Sequence, residues 1–292
     1  MRIANSTIET GDDAIVFYSS DSWGPALPTE DITVTNCRLS SASSALKFCD
    51  GNSKAIRRVV VDNVVITNSN RGLAFMVFDG GIVEDVVISN VTIQTRRFDW
   101  FWWGDGDPIH FNIKRRSEVD GMKRENEPPP GVIRNVFIHN VIARGAGTSA
   151  INGHPDSWLD GVRLESVRLL VSRDPGAPYE DTRAAMTLRH ARNFTMKDVE
   201  IRWGEPRSAT WKTGLAAEDL QDLLLDGVEV QPTPDSAGPA VSMTNVENVR
   251  LRNSRVAVLK IGGKRTRNVR LIQTEAATTT DPEVVKGAVS HR

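Results

Sequence analysis

The chain has 292 residues and a formal charge of −1 at pH 7, and no apolar run is long enough to span a bilayer. A charge this close to zero excludes proteins that bind nucleic acids or anionic membranes through a strongly basic surface. We therefore expect neither kind of partner. The two cysteines, Cys37 and Cys49, are too few for a disulfide scaffold and read as core positions on neighbouring strands.

The first residues, "MRIANSTIETGDD", enter a strand-like pattern at once. They lack the basic region followed by an apolar stretch that is typical of a signal peptide. The compartment is therefore not indicated by the sequence. Because the strand pattern starts without a cap, we expect that the first coils of a larger fold are missing.

Two adjacent carboxylates, Asp12 and Asp13, follow in the segment "ETGDDAIVFYSS". Repulsion between neighbouring carboxylates raises the pKa of one of them, so that an acid and a base coexist near neutral pH. The same letters are also typical of a solvated turn that leads into a strand. The segment alone leaves both interpretations open.

A short repeat then runs along the chain. It consists of apolar residues at alternate positions, a small polar residue, and a further apolar residue three positions later. It is found in "RIANSTI", "ITVTNCRL", "VVVDNVVI", "VVISNVTI", "VFIHNVIA", "VRLESVRL", "FTMKDVEI", "LLLDGVEV" and "VRLRNSRV". The polar anchors of these segments are Asn5, Asn36, Asn63, Asn90, Asn140, Ser166, Asp198, Gly227 and Asn253.

Each repeat is rich in β-branched residues and is too short to bury its own apolar face. Stacking one repeat on the next buries a continuous core, and stacked Asn side chains satisfy polar groups at the corners. We therefore predict an all-β fold, a right-handed parallel β-helix (β-solenoid) of about ten coils. A sandwich or a barrel also contains many short strands, but the constant unit favours the β-helix. Residues 1–292 are predicted to form a single domain.

The interval between Asn90 and Asn140 is long by about one coil, so we predict an insertion at about 96–131 that projects from one face. Its first part sets aromatic residues beside carboxylates and glycines, which is the chemistry of a sugar subsite. The candidate substrate-binding residues are Trp103, Asp105, Asp107 and His110. The alternative is a hydrophobic plug over the side of the β-helix. The second part, 117–131, is polar and proline-rich and is predicted to be a loop.

Several segments resemble a known family. "IETGDDAIVFYSS" followed by "ITVTNCRLSSASSALKF" resembles the polygalacturonase family, glycoside hydrolase family 28, whose members are parallel β-helices of the pectate-lyase-like superfold that hydrolyse pectic polysaccharides with inversion. "NSNRGLAFMVFDGGIVEDVVISNVTI", "WWGDGDPIHF", "INGHPDSWLDGVRLESV" and "LRHARNFTMKDVEIRW" are similar to segments of bacterial members. The resemblance extends over nearly the whole chain.

The resemblance implies that Asp12 is the general acid and that Asp13 is its base partner. Other family motifs do not transfer. The upstream Asn-Thr-Asp has no counterpart, the Gly-His-Gly falls on residues 43–45 (Ser-Ser-Ala), and the Arg-Ile-Lys falls near residues 74–76 (Ala-Phe-Met). Because the third Asp and the histidine are lacking, this chain is expected to be weakly active or inactive as a hydrolase.

Two cations, Lys47 and Arg71, follow Asp13 on the next two predicted coils. If three successive coils align, these side chains lie over the carboxylates and hold the carboxylate of an acidic sugar. The alternative is an ordinary solvated side chain with a packed stem.

His154, in "NGHPDSW", lies in a predicted turn, where it binds a sugar or caps the turn; we include it among the substrate-binding candidates. For His110, His154 and His190 taken singly, a structural role is the simpler interpretation. No group of His, Cys and Asp has metal-ligand spacing, so the sequence predicts no metal site and no cofactor.

The resemblance implies an enzyme that hydrolyses an α-linked, galacturonate-containing polysaccharide with inversion, and we expect it to be a monomer. A polysaccharide lyase on the same fold is one alternative. The other is a β-solenoid that binds sugars without cleaving them, in which the carboxylates and tryptophans only make contacts.

Overall fold

The computed structural model describes residues 1–22, 24–99, 104–234 and 238–291, and over these residues the chain is all-β with one short helix. No helix in this described part is long and apolar enough to cross a membrane. The strands are β1 (Arg2–Ala4), β2 (Thr7–Thr10), β3 (Ile15–Phe17), β4 (Thr29–Ser41), β5 (Ser44–Phe48), β6 (Ala55–Ser69), β7 (Arg71–Val77), β8 (Ile82–Thr95), β9 (Asp107–Ile113), β10 (Val132–Gly145), β11 (Ser149–Asn152), β12 (Leu159–Val171), β13 (Ala184–Trp203), β14 (Thr213–Asp226), β15 (Glu229–Val230), β16 (Val241–Arg252), β17 (Arg255–Gly262), β18 (Arg267–Ile272), β19 (Glu275–Thr280) and β20 (Val289–His291), and the helix is α1 (Arg116–Asp120).

The strands pair in parallel, each with its equivalent one repeat later. One ladder runs through β4, β6, β8, β10 and β12, and a second runs through β3, β5, β7, β9 and β11. In the first ladder Val34 lies beside Val61 and Val61 beside Ile88, which are spacings of 27 residues. The predictions of an all-β chain and of strands that stack at the repeat spacing are therefore confirmed.

Alternate residues of these strands face a continuous apolar core that extends from Ile15 to Leu271. In its N-terminal part the rings of Phe17, Phe48, Phe75 and Phe111 stack, with successive centroids 4.7, 4.3 and 4.2 Å apart. Each ring belongs to the next strand of the second ladder. Parallel in-register strands place like residues about 4.8 Å apart, which is the separation that offset aromatic stacking uses.

The repeated polar anchors form one set of corners in the chain. All nine have a left-handed backbone conformation, with φ between 50° and 66°. Asn, Asp and Gly tolerate this region best, which explains why they recur there. The Asn36 side-chain amide donates to Asn5 Oδ1 (3.1 Å) and that of Asn63 donates to Asn36 Oδ1 (2.7 Å), so the predicted Asn ladder forms in the first coils. It is interrupted at Asn90, whose amide donates to Asp62.

A second corner lies five residues before most anchors, and the sequence analysis missed it. Its residues also have positive φ: Asp31, Arg58, Asp85, Asn135, Gly161, Asn193, Asp222, Asn248 and Asn268. Side chains at this corner pair from coil to coil, as in the bonds from Asn135 to Asp85 (2.5 Å) and from Asn248 to Asp222 (3.0 Å). The recurrent Asp, Asn or Gly at this offset was the signal.

The segment 96–131, expected to project as one insertion, is divided. Asp107–Ile113 is strand β9, which pairs with both β7 and β11 because Ile109, Phe111 and Ile113 alternate toward the core. The residues after β9 include α1 (Arg116–Asp120), which overlaps the start of the part, 117–131, that the sequence predicted to be a loop.

Candidate functional site

The Gly-Asp-Asp segment lies at a bend between β2 and β3. Asp12 is exposed, and its Oδ1 accepts the main-chain N–H of Asp13 at 2.8 Å. The Asp13 carboxylate turns toward the next coil. Its Oδ1 accepts the Ser43 hydroxyl (2.7 Å) and the Ser44 N–H (2.9 Å). The bend thus gives the two neighbouring carboxylates different surroundings, which a regular strand would do only by pointing them to opposite faces.

Lys47 completes the surroundings of Asp13, with Nζ 2.9 Å from Oδ2 and with both side chains mostly buried. Burial raises the pKa of Asp13, but the charge of Lys47 and the hydrogen bonds from Lys47, Ser43 and Ser44 outweigh it, so the pKa is lowered. Burial lowers the pKa of Lys47, but Asp50 and Asp13 outweigh it, so the pKa is raised. Both groups are charged at neutral pH. Whether Lys47 also holds a substrate stays a prediction.

Arg71 does not stack on Lys47, contrary to the alignment expected from the sequence. Arg71 pairs with Ser44, and Ala74 is the residue beside Lys47. The guanidinium instead lies against Asp107, with Nε 3.4 Å from Oδ2 and with the two side chains 10% and 5% exposed. A substrate carboxylate would therefore have to displace a buried partner of Arg71.

His110 joins the same buried cluster. Its Nδ1 lies 3.5 Å from Asp107 Oδ2, which is an ion-pair distance rather than a well-formed hydrogen bond, and neither buried ring nitrogen has a hydrogen-bond partner among the described residues. Burial raises the pKa of Asp107, but His110 and Arg71 outweigh it and lower the pKa. Burial also lowers the pKa of His110 despite the neighbouring carboxylate, so the ring is neutral at pH 7. Arg71, Asp107 and His110 thus lie against one another at the start of β9.

Asp105 turns away from this cluster. Its main-chain N–H donates to Asp107 Oδ2 (3.3 Å), while its carboxylate accepts the Tyr179 hydroxyl at 2.5 Å. Trp103 lies outside the described residues, as do its neighbours at 100–102. The predicted aromatic subsite therefore stays a prediction.

His154 lies apart from Asp13, at the edge of an open cleft of about 400 Å³. Its Nδ1 accepts the Asp156 N–H (3.0 Å), so the proton of the neutral ring is on Nε2, which lies 3.0 Å from Glu118 Oε1. We call this the histidine cleft. Its lining residues are Asn112, Ile113, Lys114, Glu118, Asn152, Gly153, His154, Pro155, Arg189 and His190.

The residues that follow β9, 114–131, lie against the residues just after β7, Phe78–Gly80, and we call them the covering segment. Arg116 donates to both oxygens of Asp79 (2.5 and 3.1 Å) and its guanidinium lies over the Phe78 ring. Arg116 Nη1 also lies 3.9 Å from Asp50, whose other oxygen is 4.0 Å from Lys47 Nζ. Charged groups thus connect the covering segment to Asp13.

The sequence analysis missed Glu118 and Lys114, because the covering segment shows no periodic pattern that would place them. Burial raises the pKa of Glu118, but the hydrogen bonds with His154 and the Arg115 N–H, together with the charges of both residues, outweigh it and lower the pKa. Across the described ranges, no group of three or more His, Cys, Asp or Glu side chains is arranged to hold a metal ion.

No family model matches the chain, and no curated protein sequence matches it. Among solved structures, the N-terminal fragment of bacteriophage Phi29 gene product 12 is similar over 94% of this chain, with a TM-score of 0.56 and 13% identity. This chain spans 44% of that fragment. At this identity the similarity shows the fold alone.

Two further structures are similar at lower scores. One is the A-module of mannuronan C-5 epimerase AlgE4 from Azotobacter vinelandii, with a TM-score of 0.44, 10% identity, and coverage of 100% of this chain and 83% of that one. The other is the GH136 lacto-N-biosidase from Eubacterium ramulus, with a TM-score of 0.46, 11% identity, and coverage of 99% and 55%. Neither score carries an argument about function.

Proposed function

We propose that this protein is a single-domain, right-handed parallel β-helix of about ten coils that acts on a polysaccharide. The constant register of the two strand ladders and the left-handed corners in every repeat support the coil arrangement. The polysaccharide would lie along the outer face of β3, β5, β9 and β11, beside the covering segment. This face carries the Gly-Asp-Asp bend at one end and the histidine cleft farther along.

The finer proposal is hydrolysis, with inversion, of an α-linked chain that contains galacturonate, as in glycoside hydrolase family 28. One observation carries it: the adjacent Asp12 and Asp13 have different environments. Asp13 is held ionised by Lys47, Ser43 and Ser44, whereas Asp12 is exposed and forms no ion pair with a described residue. Inverting glycosidases need one proton-donating and one ionised carboxyl group, roughly 6.5–9.5 Å apart. Asp12 is assigned as the acid and Asp13 as the base partner.

The same geometry favours a second candidate, a β-solenoid that binds acidic sugars without cleaving them. Both oxygens of Asp13 already accept hydrogen bonds from protein groups. A carboxylate with a lowered pKa and three donors is a weak base for activating water, since the proton it must accept competes with those donors. In this second candidate Asp13 has a structural role, in which it holds the bend and the Lys47 side chain in place. The sugar binds elsewhere on the outer face of β3, β5, β9 and β11.

The experiment is a reducing-end assay on polygalacturonate and rhamnogalacturonan, with absorbance of unsaturated uronate followed in parallel. The variants are Asp12→Asn and Asp13→Asn, and the matched control is Asp21→Asn, an exposed carboxylate of the following loop. New reducing ends without unsaturation, lost in both variants and kept in the control, support the hydrolase. Unsaturated products indicate the lyase. Sugar binding without any cleavage supports the non-catalytic solenoid.

A further inference from the structure

Three clefts join end to end around the turn that follows β11. The histidine cleft shares Pro155 with a second cleft of about 420 Å³, and the second shares Trp158 and Gln221 with a third of about 310 Å³. Trp158 therefore borders both the second and the third cleft. We call the three clefts together the Trp158 groove.

The Trp158 ring is held in place before any ligand arrives. Its Nε1–H donates to the Pro155 carbonyl at 3.1 Å. The turn that carries it is closed by two 2.9 Å main-chain hydrogen bonds between His154 and Ser157, and the Ser157 hydroxyl donates to the Gly131 carbonyl at 2.6 Å. A flat apolar surface that is already ordered binds with little loss of conformational entropy. Partly exposed aromatic rings flanked by polar groups are the usual platforms for sugar rings.

Amide side chains line the groove along its length. Asn112 and Asn152 lie side by side on β9 and β11, and the Asn152 side-chain oxygen accepts the Thr187 hydroxyl at 3.3 Å. The Asn152 side-chain N–H groups have no partner among the described residues and are available to a ligand. Gln221 and Asn245 line the far end. Amides both donate and accept, which suits the hydroxyl groups of a saccharide.

The lining carboxylates of the groove are all paired, whereas two of its lysines are not paired with any described residue. Each lining carboxylate pairs with a cation or an imidazole. These pairs are Glu118 with His154, Asp156 with Arg115, Asp160 with Arg192 and Glu247 with Arg267. In contrast, Lys114 at one end and Lys264 at the other form no ion pair with any described residue. The positive charge that is left over lies at both ends of the groove, which favours a ligand with spaced negative charges.

We propose that the Trp158 groove is a binding site for an acidic oligosaccharide, separate from the Asp12–Asp13 bend. One sugar ring stacks on Trp158, and carboxylates of flanking sugars contact Lys114 and Lys264. The proposal shares its substrate class with the proposed function, but it assigns binding to residues that take no part in the hydrolysis. It accordingly predicts that the polysaccharide is held at a distance from the bend.

The test is calorimetric titration with an oligogalacturonate and, as the neutral probe, a maltooligosaccharide of equal length, in an Asp12→Asn background so that no cleavage occurs. We expect Trp158→Ala to weaken oligogalacturonate binding by about tenfold or more, and Trp158→Phe to retain most of it. Lys114→Gln with Lys264→Gln is expected to weaken binding and to reduce its dependence on salt. Lys212→Gln, an exposed lysine outside the groove, is the matched control.

Unchanged affinity in Trp158→Ala overturns the proposal, and so does equal affinity for the neutral probe. If Trp158→Ala does not fold, as judged by circular dichroism, the variant with both Lys114→Gln and Lys264→Gln is used instead, and unchanged affinity in that variant overturns the proposal. The result is independent of the hydrolase assignment, because the titration reads binding alone. Loss of binding in the groove variants supports the groove, whereas the hydrolase is refuted separately, if the chain with native Asp12 releases no reducing ends in the assay described above.

Discussion

Lys47 Nζ lies 2.9 Å from Asp13 Oδ2, and each of these side chains is nearly nine-tenths buried. The two residues are 34 positions apart in sequence and come from adjacent coils. The pair therefore exists only when the first two strands of the β3 ladder are stacked. It joins the proposed catalytic segment to the stability of the fold.

Replacing Lys47 by Met should destabilise the protein. The substitution keeps the packed stem but leaves the Asp13 carboxylate partly buried without its cation, at a cost of about 1–3 kcal/mol. Urea unfolding followed by circular dichroism measures the loss. Lys212→Met, at an exposed position, should change the free energy of unfolding very little. Equal stability of the two variants would show that the ion pair contributes nothing.

The Asp13 carboxylate should also shape the dependence of stability on pH. Its pKa is lowered below 3.8 in the folded state, so the unfolded chain binds its proton first as pH falls. The stabilisation is present above about pH 4–5 and is lost as pH drops through the folded pKa. The free energy of unfolding of Asp13→Asn should therefore fall less steeply below pH 5 than that of the wild type. Parallel curves for the two proteins would contradict the lowered pKa.

The corner residue Asn63 has a φ of 54°, so substitution by alanine and by glycine should affect stability differently. Both Asn63→Ala and Asn63→Gly remove the amide that donates to Asn36, but only alanine is strained in the left-handed region. We expect the alanine variant to be less stable than the glycine variant by about 1 kcal/mol, measured by chemical unfolding. An alanine variant as stable as the glycine variant would indicate that the corner relaxes to another conformation.

The Glu118–His154 contact should hold the covering segment against the coils. Glu118 also accepts the N–H of Arg115, so Glu118→Gln weakens two contacts at the start of α1. Cleavage by trypsin at the exposed Lys123 should then be faster, by about fivefold at most, since exposed ion pairs are worth up to about 1 kcal/mol. Glu125→Gln, in the same exposed stretch, is the control. Identical digestion rates would show that other contacts hold the segment.

The sequence by itself determined the repeated strands and the corners between them. A corner requires a residue that tolerates positive φ, and a strand requires alternating apolar residues. Each repeat therefore has a recognisable local sequence pattern, with corner residues such as Asn36, Asn63 and Asn90. The all-β class, the stacking and the core positions of Cys37 and Cys49 were predictable for this reason.

The tertiary structure decided which side chains meet. Arg71 lies beside Ser44 and not beside Lys47, because the register between β5 and β7 depends on where each coil turns. The contact of Glu118 with His154 joins a helix without any periodic signal to a turn 36 residues away. Such contacts depend on long-range packing, which a local pattern does not encode, and the Trp158 groove consists largely of them.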